Sequence, residues 1–268
     1  ICGGDEFRDI LDLGNIPAVD NFIEDDEEKD SYPLKLIICE KCDLVQLSYI
    51  VPKEKLFNSD YAYDMSVTDE GVKHFHEMAA ELDSKYPNHN SVVDIGSNTG
   101  VLLEGFMSNG WEVLGIEPAQ NIYEKAKEKG IPTVNEFFSK ETAREIVEKE
   151  GEKDLVAATN VLAHVDDLHD FLKGVKILLK EKGVFVFEVP YLKELLEKNE
   201  FDTIYHEHLS YFSVKPLVEL LQQHGMAIVD IESQEIHGGS LRIHVANEGE
   251  YERSEVVQRY VENEEIDS

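Results

Sequence analysis

Short apolar runs alternate with amphipathic segments along the middle of the chain, from residue 91 to residue 189. The apolar runs are about five residues long and lack polar alternation, which is typical of strands covered on both faces. The segments between them have helical periodicity, so the succession predicts a parallel sheet flanked by helices. The predicted strands are 91–95, 112–116, 131–134, 154–159 and 183–189, and the predicted helices are 101–107, 122–129, 140–149 and 168–179.

The pattern differs on both sides of this region. Residues 1–57 hold short apolar runs broken by glycine and proline, which predicts a small module of short strands and turns. Residues 58–90 contain a helical pattern over 67–85, and we interpret them as a connector that contributes to the substrate site. Beyond residue 189, the runs 226–231 and 240–245 predict two added strands, one of them antiparallel.

The predicted core domain extends over residues 91–246, and residues 247–268 follow it as a mostly polar tail. We interpret the tail as the beginning of a helix and of a C-terminal domain that the sequence does not include. The predicted fold class is therefore α/β, with a Rossmann-like sheet and a small N-terminal module.

The charge balance limits the partners of the protein. The sequence has 25 Lys and Arg against 56 Asp and Glu, a formal net charge of −31, and its basic residues do not cluster. Such a chain repels a phosphate backbone, so we expect no nucleic-acid partner.

No apolar run approaches the roughly 18 residues of a membrane span, so no membrane is expected either. The first residues do not resemble a signal peptide, and we expect a cytoplasmic location. The oligomeric state stays open.

Three cysteines, Cys2, Cys39 and Cys42, are the candidate metal ligands. An odd number of cysteines is a poor disulfide framework. Cys39 and Cys42 form a C-x-x-C pair, whose spacer lets both thiolates face one ion. Cys2 precedes two glycines and is typical of the second half of another such pair, whose first cysteine would lie before residue 1. We predict a structural zinc ion, with a redox pair or incidental buried thiols as alternatives.

A nucleotide-type pocket is predicted where the first core strand ends. The apolar run there leads into Gly96-Ser97-Asn98-Thr99-Gly100 and then into a helix. The two glycines let the backbone approach a ligand closely, and open amides at the helix start can meet a polar group. The spacing is not G-x-G-x-x-G and the loop lacks the lysine of a P-loop, which disfavours a dinucleotide. Glu117 follows the next strand, where a carboxylate can bind ribose hydroxyls.

Asp94, the glycine loop and Glu117 together resemble motif I and its partner acid in class I S-adenosylmethionine-dependent methyltransferases. The resemblance implies S-adenosylmethionine as the cofactor. The implied cofactor-binding residues are Asp94, Gly96, Asn98 and Gly100 around the loop, Glu117 at the ribose, Phe137 at the adenine edge and Asn160 beside the sulfonium. Phe137 and Phe138 are equally consistent with core packing, and a doubly wound fold with another nucleoside ligand is the alternative.

Four further motifs resemble the sugar C-methyltransferases, which methylate carbon 3 of nucleotide-linked 4-keto deoxysugars. They are Asp60-Tyr61-Ala62-Tyr63, Glu188-Val189-Pro190-Tyr191, Tyr205-His206-Glu207-His208-Leu209-Ser210-Tyr211 and His237-Gly238-Gly239-Ser240-Leu241-Arg242. With the cysteine module, the resemblance covers essentially the whole chain. It implies a class I methyltransferase core with an N-terminal zinc-binding module, and a nucleotide-linked keto sugar as substrate.

Methylation at such a carbon requires a base, because the carbon becomes nucleophilic only after it loses a proton to form an enolate. The resemblance assigns the base to His208, a histidine being suited to proton removal near neutral pH. It places Tyr205 and Glu207 in the same pocket. We expect Tyr205 to donate to the enolate oxygen, and Glu207 to orient a ring or hold sugar hydroxyls. The predicted substrate residues are Tyr61, Tyr63 and Arg242.

Several of these side chains have a structural alternative. His206 fits a satisfied polar residue of the core, and Tyr61 and Tyr63 fit packing between domains as well as substrate contact. Arg242 belongs either to a turn that leads into a strand or to the binding site of the substrate diphosphate. His164 is expected to line the pocket. The alternative functions are an O- or N-methyltransferase of a small molecule and a non-catalytic module that binds zinc and the cofactor.

Overall fold

The computed structural model describes residues 1–18, 30–56 and 64–264, without the side chains of Glu54 and His237. In these ranges the strands are β1 Phe7–Pro17, β2 Ser31–Cys39, β3 Val45–Leu47, β4 Ser91–Ile95, β5 Glu112–Ile116, β6 Thr133–Val134, β7 Lys153–Thr159, β8 Leu179–Pro190, β9 Ser210–Tyr211, β10 Met226–Gln234 and β11 Ser240–Asn247. The α-helices are α1 Lys53–Leu56, α2 Asp69–Lys85, α3 Val101–Ser108, α4 Gln120–Glu128, α5 Lys140–Glu150, α6 Leu168–Leu178, α7 Leu192–Lys198, α8 Val214–Gln222 and α9 Glu255–Asn263. None of these helices is both long enough and apolar enough to cross a bilayer.

The strands form two sheets. The larger sheet has the order β10-β11-β8-β7-β4-β5-β6 and the smaller one the order β1-β2-β3-β9. In the larger sheet β4 pairs in parallel with β5 and β7, and β5 with β6. β10 and β11 pair antiparallel, as the sequence predicts. The α/β fold class with a mixed sheet is therefore confirmed.

The chain divides into two compact units. One, here called the cysteine unit, comprises Ile1–Leu56, Asn160–His169 and Phe187–Ser268. The other, here called the glycine-loop unit, comprises Phe57–Thr159 and Asp170–Val186. The predicted domains are consecutive segments, whereas each unit is assembled from segments that are distant in the chain, because strand pairing brings them together.

In the glycine-loop unit, α2 illustrates how local chemistry sets an element. It begins at Asp69 rather than at the predicted residue 67, because the Thr68 side chain caps it by accepting the Gly71 N–H at 3.2 Å. One face of the helix buries Phe75 and Met78. Along the sheet, every residue of β4 is buried, which explains its unbroken apolar run.

In the cysteine unit, the smaller sheet includes a strand that the sequence does not predict. β9 pairs with β3 through Val45 and Tyr211. The strand is only two residues long, and its partner lies far away along the chain, so no local pattern marks it. The core beneath this sheet consists of Leu34, Leu36, Val45, Leu47, Leu192, Leu209 and Tyr211. The histidine-rich motif is therefore fixed to the sheet that carries Cys39.

Candidate active site

The glycine loop turns sharply between β4 and α3. Gly96, Asn98 and Gly100 all have positive φ, at 68°, 50° and 78°. The Gly96 N–H donates to the Ile116 carbonyl at 2.8 Å, which fastens the loop to the end of β5. Gly100 lies directly before α3 and leaves its first amides open for a ligand.

Gly100 is also required by packing. A Cβ placed there would lie 2.2 Å from Ile131 Cδ1. We expect Gly100→Ala to destabilise the protein by about 3 kcal/mol, because backbone strain at positive φ and overpacking add. Urea unfolding measures this change. Gly110→Ala is the matched control, since Gly110 has a φ of +83° but open space around a Cβ, and about 1 kcal/mol is expected there. Equal losses for the two variants would contradict the packing argument.

Two acids end adjacent parallel strands of this unit. Asp94 is 2% exposed and Glu117 5% exposed. Burial, and secondarily the charge of Glu117, raise the pKa of Asp94 well above its usual value. Glu117 accepts the N–H groups of Asn98 at 3.0 Å and Ala119 at 2.8 Å, one on each carboxylate oxygen. Each oxygen keeps a second lone pair, so Glu117 can still accept ribose hydroxyls.

At one edge of the sheet in the glycine-loop unit, three buried oxygens lack a hydrogen-bond partner among the described residues. They are Asp94 Oδ1, Ser97 Oγ and Thr159 Oγ1. All three lie at the carboxyl ends of β4 and β7, the edge at which open α/β sheets bind ligands. Buried polar atoms are normally paired, so these positions fit a polar ligand such as S-adenosylmethionine.

Asn98, a predicted cofactor residue, also holds the loop in place. Its side-chain oxygen accepts the N–H groups of Met65 at 3.0 Å and Thr99 at 2.9 Å. Next to it, Asp64 forms an ion pair with Lys125 at 2.8 Å. Burial opposes ionisation of Asp64, but hydrogen bonds from Lys125 and Ser66 outweigh it and lower the pKa of this carboxyl to about 2.

The low pKa of Asp64 predicts a dependence of stability on pH. A carboxyl whose pKa is lower in the folded state stabilises the protein above its unfolded pKa of about 4, and this stabilisation is lost as the pH falls toward 2. We expect Asp64→Asn to reduce the free energy of unfolding by about 2 kcal/mol at neutral pH, and by about half as much near pH 3. Urea titrations of both proteins at several pH values measure the difference. A difference that does not change with pH would contradict this assignment.

The segment predicted to hold the adenine edge contains two phenylalanines, and the structure gives them different surroundings. Phe138 packs edge-on against Phe171, with 5.1 Å between ring centroids, and lies against Gly174. Phe138 therefore belongs to the packing of the unit. Asn135 donates to the carbonyls of Glu117 and Pro118, which fixes the segment beside the ribose acid. Phe137 is half-buried, and its contact with adenine stays a prediction.

Asn160, which follows β7, belongs to the cysteine unit. It has a φ of +56°, which is rare for a residue other than glycine. Its N–H donates to the Glu188 carbonyl at 2.9 Å. Neither Oδ1 nor Nδ2 has a hydrogen-bond partner in the part of the chain that the structure describes. A strained backbone with an unsatisfied amide is typical of a binding residue.

His208, the predicted base, is held through both ring nitrogens. Nδ1 lies 2.8 Å from the Thr203 carbonyl oxygen, and Nε2 lies 3.1 Å from the Tyr205 hydroxyl. A carbonyl oxygen only accepts, so Nδ1 carries the proton and Nε2 has the lone pair. The structure therefore places a basic nitrogen beside a phenol, in an arrangement that can remove a proton and donate a hydrogen bond.

His164 and Glu207 complete this cluster. The rings of His164 and His208 meet edge to face, with centroids 4.9 Å apart, and His164 Nδ1 lies 3.9 Å from Glu207 Oε2. Burial, followed by repulsion from His208, lowers the pKa of His164 to about 3. A histidine with so low a pKa is a weak base near pH 7, which agrees with a residue that lines the pocket rather than with the base. Glu207 is 3% exposed.

Two other candidates are fully buried. His206 is 0% exposed, and its Nε2 lies 3.2 Å from the Tyr32 carbonyl oxygen, whereas its Nδ1 has no hydrogen-bond partner among the described residues. It is therefore a buried histidine with one ring nitrogen paired. Arg242 is 1% exposed and donates from Nε to Glu188 Oε1 at 2.8 Å. This ion pair gives no support to the prediction that Arg242 approaches a substrate diphosphate.

The three cysteine Sγ atoms lie within 4.8 Å of one another. Cys2 Sγ and Cys39 Sγ are 3.6 Å apart, near the roughly 3.8 Å that two thiolates have when each is 2.3 Å from a tetrahedral zinc ion. All three are free thiols. The cysteines fit a zinc ion for which they would supply three of the four ligands.

Comparison with known families decides the class of protein. Residues 64–231 match a family described as "Methyltransferase domain". The chain belongs to this methyltransferase family. Its predicted class, a methyltransferase, is thereby confirmed. Residues 1–57 of the methyltransferase match a second description, "Putative zinc binding domain", which agrees with the cysteine cluster.

Individual relatives refine this class. The methyltransferase is 35% identical to the C-methyltransferase NovU of Streptomyces niveus over 92% of its own length and 60% of NovU. It is 32% identical to the ubiquinone biosynthesis O-methyltransferase of Bradyrhizobium diazoefficiens, over 35% of its own length and 38% of that protein. The chain thus spans 60% or less of the length of these relatives.

Solved structures of low sequence identity share the fold. The PH0226 protein from Pyrococcus horikoshii OT3 has a TM-score of 0.55 at 16% identity and covers 75% of this chain and all of its own. Magnesium protoporphyrin IX methyltransferase from Synechocystis PCC 6803, solved with bound SAH, has a TM-score of 0.52 at 14% identity, over 69% of this chain and 90% of its own. The class I methyltransferase fold is therefore confirmed.

Sequence reasoning did not find every residue at this site. Tyr61 and Tyr63 lie outside the described residues, so their contact with substrate stays a prediction. Thr203, whose carbonyl contacts His208, and Tyr211, whose ring lies beside that of His208, have no predicted role. Thr203 acts through its carbonyl, which no residue type signals, and Tyr211 stands in the quoted motif without a feature that separates it from Tyr205.

Proposed function

We propose that this methyltransferase places a methyl group on carbon 3 of a nucleotide-linked 4-keto deoxysugar. The observation that carries the proposal is the orientation of His208, whose Nδ1 meets a carbonyl and whose Nε2 is therefore the basic nitrogen. Methylation at a carbon next to a ketone requires a base that removes the proton from that carbon, and Nε2 of His208 can accept it. The similarity to NovU, a C-methyltransferase, supports the same reaction.

In the proposed reaction, His208 Nε2 removes the proton from carbon 3, and the C–H electron pair forms the enolate. The Thr203 carbonyl stabilises the imidazolium by accepting from Nδ1–H. The Tyr205 hydroxyl turns from Nε2 to the enolate oxygen and donates a hydrogen bond to it. When bound, S-adenosylmethionine would supply an electrophilic methyl group. The enolate carbon would bond to that methyl carbon as the methyl–sulfur bond breaks, and the electron pair of the broken bond would stay on the sulfur of S-adenosylhomocysteine. His208 then releases its proton to water.

The remaining residues bind and orient. We assign the ribose to Glu117, the methionine end to Asp94 and the loop, and the adenine edge to Phe137. Unpartnered oxygens around Asp94 and the amide of Asn160 support a polar ligand at these residues. Glu207 holds a sugar hydroxyl or orients the neighbouring ring. The cysteines hold a structural zinc ion that takes no part in the chemical step.

Product analysis tests this function. The protein at its full natural length is incubated with S-adenosylmethionine carrying a ¹³C-methyl group and with TDP-, CDP- and GDP-linked 4-keto deoxysugars. We expect a methyl carbon bonded to carbon 3 of one of these sugars, identified by carbon–carbon coupling. A methyl group on oxygen or nitrogen would overturn the proposal in favour of an O- or N-methyltransferase. Cofactor binding without any turnover would favour a non-catalytic module.

A further inference from the structure

Tyr211 has no role in the proposed reaction, yet its hydroxyl approaches the Thr203 carbonyl, which accepts a hydrogen bond from His208. It is 5% exposed, and its Oη lies 3.4 Å from the Thr203 carbonyl oxygen. Its ring stands nearly perpendicular to that of His208, at 86°, with centroids 6.2 Å apart. The backbone of Tyr211 is paired with Val45 of β3, so the hydroxyl projects from a fixed strand.

The Thr203 carbonyl accepts from two side chains. His208 Nδ1 approaches it at 2.8 Å and Tyr211 Oη at 3.4 Å. A carbonyl oxygen has two lone pairs and can accept both hydrogen bonds. The Tyr211 hydroxyl and the His208 ring therefore converge on one backbone oxygen.

Thr203 is held from its other side as well. Its Oγ1 donates to the Glu200 carbonyl at 2.9 Å. The carbonyl that faces His208 is therefore fixed by groups other than His208 itself. Preorganisation of this kind keeps a catalytic side chain in a single geometry.

We propose that Tyr211 is a positioning residue that keeps the Thr203 carbonyl against Nδ1 of His208 and so holds the histidine in the tautomer in which Nδ1 carries the proton and Nε2 the lone pair. If the hydroxyl is lost, the carbonyl is held less firmly and His208 also populates the opposite tautomer, in which Nε2 carries the proton and cannot accept another. The consequence for catalysis rests on the proposed function. The statement about the tautomer does not.

The test combines spectroscopy with kinetics. Protein labelled with ¹⁵N-histidine reports by NMR which ring nitrogen of His208 is protonated. We expect Nδ1–H alone in the wild type and a mixture in Tyr211→Phe, with about tenfold lower kcat and an unchanged KM for S-adenosylmethionine. Tyr260→Phe is the matched control, because Tyr260 lies in α9, and both measurements should stay at their wild-type values.

A second variant keeps the test decisive if Tyr211→Phe does not fold. Thr203→Val retains the carbonyl and Tyr211 but removes the hydrogen bond to Glu200, and the same tautomer mixture is expected. His208 protonated on Nε2 in the wild type would overturn the proposal, as would a folded Tyr211→Phe with wild-type tautomer and kcat. Failure of the proposed function has a different signature, since it would leave the tautomer result intact while His208→Gln retained turnover.

Discussion

Replacement of His208 by glutamine is expected to lower kcat for methyl transfer by about 10³-fold, because a positioned general base contributes about 10²- to 10⁴-fold. Glutamine can hydrogen-bond to the Thr203 carbonyl and the Tyr205 hydroxyl but cannot accept a proton. The residues proposed to bind the cofactor lie outside the motif from Tyr205 to Tyr211, so the affinity for S-adenosylmethionine should not change. Steady-state kinetics and calorimetric titration with the cofactor measure the two quantities.

The matched control for this variant is His76→Gln. His76 lies on α2, and its side chain is 46% exposed, so kcat and cofactor affinity should both stay at the wild-type level. Wild-type kcat in His208→Gln would assign the base to another residue. A parallel loss of cofactor affinity would instead indicate that His208 supports binding.

Cys39→Ser is expected to abolish zinc binding and to destabilise the smaller sheet. A structural zinc ion contributes folding free energy outright, on the order of 10 kcal/mol in small zinc domains. Cys39 ends β2. The fourth strand of the same sheet is β9, whose two residues end the motif that contains His208. Loss of the ion should therefore expose the Val45 and Tyr211 amides to hydrogen exchange and lower kcat.

Metal analysis and hydrogen exchange measured by mass spectrometry follow this effect. Treatment of the wild type with a chelator should reproduce it, and added zinc should reverse it in the wild type but not in Cys39→Ser. Undiminished protection of β9 in zinc-free protein would contradict the role of the cysteines as the anchor of this sheet.

The glycine loop could be predicted from the sequence because its signals are local. The signals are a buried strand, glycines that adopt positive φ and an acid after the next strand, and they lie within one short stretch of the chain. The structure has positive φ at Gly96 and Gly100 and a buried carboxyl at Glu117. The packing of Gly100 against Ile131 could not be predicted, because it joins two segments that no local pattern relates.

The contacts that hold His208 in place could not be predicted from local sequence patterns. The pairing of β9 with β3 depends on contacts between distant segments, and the Thr203 contact with His208 is made by a backbone atom. Arg242 is a different case. The sequence suggests a cation that could bind the substrate diphosphate, but inside the fold Arg242 forms an ion pair with Glu188. Burial and pairing of charges follow from tertiary structure alone.

Proton exchange at carbon 3 without cofactor tests the central claim most directly. The wild type and His208→Gln are each incubated in D₂O with the 4-keto sugar nucleotide that serves as substrate, and incorporation of deuterium is followed by NMR. The account predicts exchange at carbon 3 with the wild type and exchange at the uncatalysed rate with His208→Gln. Equally fast exchange with both proteins would contradict it.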